Sequence, residues 1–141
     1  MSDTARRLLL GTFLLGLAGL SVELLLGHVE DVTQLIPLIL AALALLSLAY
    51  IGVGRGAASV LGFRAVMGLF ILSGAVGAAL HFRVNIEFQQ EIDPAMSGWL
   101  LVQKAIRAKA PPALAPGAMV QLGLIGLVYT FKHPRLSRSD R

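Results

Sequence analysis

The fold is decided by two neighbouring apolar runs, LIPLILAALALLSLAYIGV at residues 35–53 and AASVLGFRAVMGLFILSGAVGAAL at residues 57–80. An α-helix rises 1.5 Å per residue, so about 20 residues cross the ~30 Å hydrocarbon core of a bilayer. Both runs reach that length. Neither shows the polar–apolar alternation of a membrane β-strand, and backbone groups in lipid must pair within their own segment. Each run therefore predicts a transmembrane α-helix.

Two further apolar runs flank this pair, at about residues 8–27 and 114–131. The first is too long for the core of a signal peptide and carries Glu23 where small cleavage-site residues belong, so we expect it to be retained. The last is short, which predicts a tilted helix, a locally thinned membrane or a start at the interface. The predicted fold is an all-α integral membrane protein, an antiparallel bundle of four transmembrane helices in a single domain over residues 1–141.

The composition excludes several function classes. Of the 141 residues, 56% are hydrophobic and only 14% charged, whereas soluble domains carry roughly 25% charged residues. The chain has no cysteine, which excludes disulfides, thiolate metal sites and cysteine nucleophiles. Its net charge of +4 comes from cations beside the apolar runs. We therefore expect the lipid bilayer as a partner, and no nucleic acid.

The distribution of Lys and Arg predicts the orientation. With a cytoplasmic N-terminus, eight of these residues fall in cytoplasmic segments and four in outer segments. Cytoplasmic segments of membrane proteins carry the excess of positive charge, so both termini are predicted to be cytoplasmic. The basic tail at residues 132–141 suits anionic headgroups, and we count His133 as part of it. Short loops and Ala, Gly and Leu richness favour a bacterial inner membrane.

Small residues at helical spacing predict where the helices touch, because dispersion forces in lipid depend on close backbone approach. Their spacing is not that of a GxxxG dimer motif, so we expect packing within one chain. They are Ala41, Ala44 and Ser47 in the second run, Gly74, Gly77 and Ala78 in the third, and Gly123 and Gly126 in the fourth.

The long outer segment, residues 83–112, contains a predicted amphipathic helix. Asp93–Pro94 is a favourable start and Pro111–Pro112 a favourable end. One arc of this helix is apolar and the other polar, apart from Leu100. We expect it either to lie in the headgroup plane or to cap the bundle. Residues 83–92 either continue the third helix or are extended. The predicted apolar arc holds Trp99, Leu101, Val102, Ala105 and Ile106, and the polar arc Gln103, Lys104 and Arg107.

Polar side chains that are energetically unfavourable at membrane depth concentrate at the predicted outer end of the bundle. Ionisable groups at membrane depth require an explanation. Two imidazoles with carboxylates suit Zn, Fe, Mn or Cu, and helical bundles build such sites from facing helices. The competing interpretation is that the acids are solvated and the histidines hydrogen-bond to carbonyl oxygens, since no HExxH or paired ExxH motif is present. The predicted ligands are Glu23, His28, His81 and Glu87, with Glu30 and Glu91 as alternatives and Asp31 or Asn85 orienting an imidazole.

Two function classes follow from this outer cluster. The first is a non-enzymatic accessory or binding component that holds a divalent metal, with another membrane subunit or a second copy of itself as partner. The alternative is a redox or metalloenzyme membrane subunit, with a b-type haem between His28 and His81 or a catalytic metal. A proton relay from Glu23 to His28 is a third interpretation, but helices two and four offer few polar residues for a path across the bilayer.

Overall fold

The computed structural model describes residues 2–26, 35–54, 56–107 and 114–136, and every regular element in them is helical. The predicted all-α class is therefore confirmed. The first and third helices are longer than the apolar runs that predicted them. The helices are α1 (Asp3–Leu26), α2 (Leu35–Val53), α3 (Ala57–Ile92), α4 (Gly98–Ile106) and α5 (Leu114–Tyr129).

Three helices of the described residues are long and apolar enough to cross a membrane: α1, α2 and α3. They contain 24, 19 and 36 residues, and about 20 residues are needed. The fourth apolar run forms α5, a helix of 16 residues, which falls short of that length. These lengths and compositions suggest a membrane protein.

The core lies between α1, α2, α3 and α5, which we call the bundle. Phe13 of α1 and Phe63 of α3 are almost fully buried and meet edge to face, with ring centroids 5.7 Å apart. Tyr129 of α5 meets Phe63 in the same way, at 6.2 Å. Such pairs gain about 0.5–1.5 kcal/mol beyond the area they bury. Ala44 is fully buried where α2 joins this core.

Glycines let α5 approach α3 closely. A Cβ atom added at Gly123 would lie 2.8 Å from the carbonyl oxygen of Met67, and one at Gly74 would lie 3.0 Å from the amide nitrogen of Val120. Larger residues do not fit at these positions. Since later positions of α3 meet earlier positions of α5, the two helices are antiparallel. The predicted intrachain packing through small residues is confirmed here.

The third helix continues without a break to Ile92, which settles the alternatives for residues 83–92 in favour of a helix. Its 36 residues make it ~54 Å long, far longer than a ~30 Å hydrocarbon core. About twelve residues, 81–92, extend beyond the apolar run. They include charged and amide side chains, so hydropathy alone does not assign these residues to the same helix as the apolar run.

The predicted start of the amphipathic outer helix at Asp93–Pro94 is wrong. Asp93 ends α3, and its side-chain Oδ1 accepts a hydrogen bond from the Ala95 N–H at 3.1 Å. This is the local turn that competes with helix capping by Asp. The helix begins only at Gly98, whose φ of +64° is a left-handed conformation that favours glycine. The predicted end at Pro111–Pro112 lies outside the described residues.

Helix α4 packs back on the extension of α3 and forms the α3–α4 hairpin, residues 81–106. The Asn85 side chain donates a hydrogen bond to the Ala105 carbonyl oxygen at 3.1 Å. Asn85 lies seven residues before the end of α3 and Ala105 seven after the start of α4, so the two segments are antiparallel. Within the predicted apolar arc, Leu101 and Ala105 are buried, whereas Trp99 and Ile106 are exposed.

Candidate functional site

The predicted metal ligands are only partly within the described residues. Glu23, His81, Glu87 and Glu91 are described, and all four side chains are exposed. His28, Glu30 and Asp31 fall in 27–34, outside the described residues. Among the described residues, no three His, Cys, Asp or Glu side chains converge on a common point. The metal centre as a whole stays a prediction.

His81 lies on the side of α3 that faces the rest of the bundle. It follows the buried Phe63 by 18 residues and the buried Gly74 by seven, which is about five turns and two turns of an α-helix. His81 therefore continues the core-facing side of α3 beyond the core. The apolar side chains of Phe88 and Ile92 follow on the same side and are exposed.

Glu87 and Glu91 lie on other sides of α3. Six residues separate His81 from Glu87, which places them about 120° apart around the helix. The carboxylate of Glu87 accepts a hydrogen bond from the Arg83 Nε at 2.8 Å, in an ion pair whose side chains are 54% and 76% exposed. Such exposed pairs contribute about 0–1 kcal/mol. The structure thus does not bring Glu87 to His81.

Glu23 and Asn85, the two remaining described residues of the predicted site, lie in different environments. Glu23 lies near the end of α1, about a quarter turn from the buried stripe of Phe13, Leu17 and Leu20. It is an exposed carboxylate on the flank of an apolar helix. Asn85, predicted to orient an imidazole, instead donates its amide hydrogen bond to Ala105 and holds α4 in place.

A second polar cluster, which no sequence pattern indicated, lies at the opposite end of the bundle. We call this end, where α1 begins and α5 finishes, the termini end. The guanidinium Nη1 of Arg135 donates hydrogen bonds to the carbonyl oxygen of Ile51 and, at 3.4 Å, to the hydroxyl of Ser59. The last carbonyl groups of a helix have no partner within it. Arg135 therefore satisfies the end of α2 and contacts the start of α3 at once.

The tail after α5 folds back to reach this position. Thr130 is fully buried and donates to the carbonyl oxygens of Gly126 and Leu127. Lys132 follows with a left-handed φ of 48°, which turns the chain back towards the bundle. His133 is then buried, with 9% of its surface exposed. The sequence pattern counts His133 as part of the basic tail and gives no indication of this burial.

His133 is surrounded by positive charge. Burial, followed by the nearby cations of Arg6 and Arg135, lowers the pKa of the His133 imidazole from its ordinary value of 6.5. Its Nδ1 accepts a hydrogen bond from the Arg135 backbone N–H at 3.4 Å, which assigns the proton of the neutral ring to Nε2. The Nε of Arg6 is also buried and has no hydrogen-bond partner.

Comparison with known proteins returns no match: no protein family, no curated protein and no solved structure resembles this chain. Functional assignment therefore rests on its own geometry. That geometry offers an imidazole on the inward side of α3 at one end of the bundle. At the other end it offers two half-buried arginines, Arg6 and Arg135, beside the buried imidazole of His133.

Proposed function

We propose that this chain is a multi-pass protein of the bacterial inner membrane that acts as a non-enzymatic accessory or binding component. The observation that carries the membrane assignment is the apolar exterior of the bundle. Leu15, Leu26 and Val53 are 77%, 78% and 81% exposed, and similar side chains surround α1, α2 and α3. A soluble bundle buries its apolar stripe and presents polar residues outward. Lipid is the solvent that suits this surface.

The packing of α5 supports a fourth crossing. Pro116 contacts Gly74 and Gly77 near one end of the apolar run of α3, and Gly126 contacts Phe63 near the other. Because α5 packs along this length of α3, both helices would cross the membrane together. Its 16 residues extend ~24 Å, and local thinning of the bilayer accommodates the difference at modest cost.

The charges at the two ends support cytoplasmic termini. The termini end carries the four cations Arg6, Arg7, Lys132 and Arg135, whereas the α3–α4 hairpin carries two, Arg83 and Lys104. The positive-inside rule places the termini end in the cytoplasm and the hairpin outside.

The position of α4 supports an interfacial role for its last turn. Ala105 lies level with Asn85, which follows the end of the apolar run at Leu80 by five residues. This is ~7.5 Å along the helix, within the headgroup layer. Lys104 and Arg107 flank Ala105, and cations at that depth reach lipid phosphates.

The proposed binding site is the outer rim, where His81 would hold a divalent metal together with Glu23 and His28. The support is that His81 continues the core-facing side of α3 at the end where α1 terminates and α2 begins. Two imidazoles and a carboxylate suit Zn, Fe, Mn or Cu. The rival class, a redox subunit with haem between His28 and His81, draws on the same two histidines and is separated from the metal site by its absorption spectrum.

The membrane topology is tested by single cysteines, because the natural chain has none. Cells expressing Ser2→Cys, Ser97→Cys or Ser139→Cys are treated with a membrane-impermeant maleimide. We expect Ser97→Cys to react in intact cells and the other two only after permeabilisation. Ser47→Cys, within α2, is the control that stays unlabelled. Labelling of Ser97 and Ser139 on the same side would contradict the fourth crossing.

The metal site is tested by elemental analysis and an absorption spectrum of the detergent-purified chain. We expect one divalent metal ion per chain, lost in His28→Ala and in His81→Ala. Glu87→Gln is the matched control and should retain the metal, because Glu87 pairs with Arg83 on another side of α3. A Soret band would support haem instead, and a chain with neither metal nor haem would contradict the site.

A further inference from the structure

The cluster of Arg6, His133 and Arg135 at the termini end has no carboxylate partner within residues 2–26, 35–54, 56–107 and 114–136. The ion pair of Arg83 and Glu87 is the only one in the described part of the chain, and it lies in the hairpin. Arg6 and Arg135 lie near enough to His133 to lower the pKa of its imidazole, and no described acid forms an ion pair with either arginine. Asp3 is exposed in the first turn of α1, and no ion pair joins it to either arginine. Among the residues that the structure describes, no acid neutralises these charges, which favours an anion as a ligand.

We propose that Arg6, His133 and Arg135 form a binding site for a phosphate group, supplied by an anionic lipid headgroup or by free phosphate. A lipid source depends on the proposed membrane topology, whereas the site itself does not. The observations come from three separate segments of the chain. The first turns of α1 contribute Arg6, the tail contributes His133 and Arg135, and the ends of α2 and α3 hold Arg135 in place.

Arg6 supplies the first indication of a ligand. Its Nε is buried without a hydrogen-bond partner. A buried donor without an acceptor is unfavourable, and a bound phosphate that draws the half-buried Arg6 side chain outward would supply the missing acceptor oxygen. Its neighbour Arg7 is exposed, so the burial of Arg6 is a property of its position on α1.

Arg135 and His133 supply the remaining donors. Arg135 uses Nη1 to contact Ile51 and Ser59, and a guanidinium has five N–H groups in a rigid fork. The His133 Nδ1 accepts from the Arg135 backbone N–H, so its Nε2 carries the proton and can donate. Guanidinium forks bind phosphate oxygens with paired, charge-assisted hydrogen bonds.

The expected position of the cluster relative to the hydrocarbon core also suits a lipid headgroup. Arg6 precedes the apolar run that begins at Leu8, and His133 lies four residues beyond the end of α5 at Tyr129. Both positions are within a few ångströms of the expected edge of the hydrocarbon core, where the phosphates of a bilayer lie. In the proposed orientation, a lipid phosphate at this height would belong to the cytoplasmic leaflet.

Proton uptake accompanies binding. A phosphate anion next to His133 favours the imidazolium form and raises its pKa, so binding tightens as the pH falls towards 6. The charged and titratable groups of the elements packed at this end are Asp3, Arg6 and Arg7 of α1, Tyr50 of α2, Arg64 of α3, Tyr129 of α5, and Lys132 and Arg135 of the tail. Only His133 among them titrates ordinarily between pH 5 and 8.

The experiment uses the full chain in neutral detergent and in nanodiscs of phosphatidylcholine with or without phosphatidylglycerol. Thermal unfolding is measured with added inorganic phosphate, or with chloride at the same ionic strength. We expect phosphate or phosphatidylglycerol to raise the Tm and Arg6→Gln to weaken that binding roughly tenfold. Arg7→Gln, which removes the same charge from an exposed position, is the matched control and should bind as the wild type does.

The His133 imidazole gives a readout that does not depend on a variant. Its NMR titration should move to higher pH when the phosphate source is added to the wild type. A response to phosphatidylglycerol alone identifies the headgroup as ligand, and a response to inorganic phosphate alone identifies free phosphate. Equal weakening by Arg6→Gln and Arg7→Gln, or no response to either source, would overturn the site. Failure of the topology experiment would leave the inorganic phosphate result intact.

Discussion

The guanidinium of Arg135 donates a hydrogen bond to the carbonyl oxygen of Ile51, 84 positions earlier in the chain. This bond joins the tail after α5 to the last turn of α2. The same nitrogen contacts Ser59 at the start of α3, and His133 is buried two residues before Arg135. Residues 130–136 are thus part of the folded bundle, and their removal would leave the end of α2 without a partner.

Replacement of Arg135 by Gln should destabilise the bundle by about 1–3 kcal/mol. The carbonyl oxygen of Ile51 then loses a charge-assisted hydrogen bond that Gln is too short to replace. Denaturant unfolding in detergent, followed by circular dichroism, measures the change. Arg64→Gln serves as the control, since Arg64 is exposed on α3. Equal stabilities for the two variants would contradict the role given to Arg135.

The stability of the protein should fall as the pH drops below about 6.5. Burial and the cations of Arg6 and Arg135 lower the pKa of folded His133 below its ordinary value of 6.5. The unfolded chain therefore takes up a proton in a pH range where the folded chain does not, and the free energy of unfolding falls with pH. The loss levels off once the pH is below the folded pKa.

The control for this pH dependence is His133→Asn, measured in phosphate-free buffer. This variant should lose most of the change in Tm between pH 7.5 and pH 5.5. His81→Asn should retain it, since His81 is exposed at the other end of the molecule. A wild-type Tm that is unchanged or higher at pH 5.5 would contradict the prediction.

Gly123→Ala should weaken the packing of α5 on α3. The added methyl group would lie 2.6 Å from Ile71 Cγ1 and 2.8 Å from the Met67 carbonyl oxygen, and backbone cannot move aside as a flexible side chain can. Overpacking of this kind costs about 1–3 kcal/mol. Gly117→Ala is the matched control on the same helix, because open space surrounds Gly117. Unfolding in detergent should separate the two variants, and equal stabilities would refute the close approach.

Asn85→Ala should loosen α4 without unfolding the bundle. The substitution removes the hydrogen bond from Asn85 to the Ala105 carbonyl oxygen, which net contributes about 1 kcal/mol. Hydrogen exchange of the amides at residues 101–106 should become faster, while the exchange of α1 and α2 stays unchanged. Gln90→Ala, at an exposed position of the same helix, should leave the exchange of α4 as it is in the wild type.

Much of the fold could be predicted because apolar length is a local and additive property. Residues 35–53 coincide with α2, and residues 57–80 identify the buried part of α3. Gly74 and Gly123 stand out because close packing in lipid selects small residues. These features require no knowledge of contacts between distant parts of the chain.

Other features depend on choices that sequence patterns leave open. Asp93 suits both a helix start and the turn that follows α3, and only the competition between these hydrogen bonds selects the turn. The fold of the tail around His133 depends on a left-handed Lys132 and on the hydrogen bonds of Arg135 to Ile51 and Ser59, about eighty residues earlier. A short basic tail after an apolar run carries no local sign of this. Glu87 and His81 are near in sequence, yet helical geometry separates them around α3.

The length of α3 has a mechanical consequence. A single stiff rod passes through the packed part of the molecule and emerges beyond it as one arm of the hairpin. We expect a force on that arm to tilt the whole helix about the region where glycines bring α3 and α5 together. We therefore expect a displacement of the hairpin to reach the opposite end of α3.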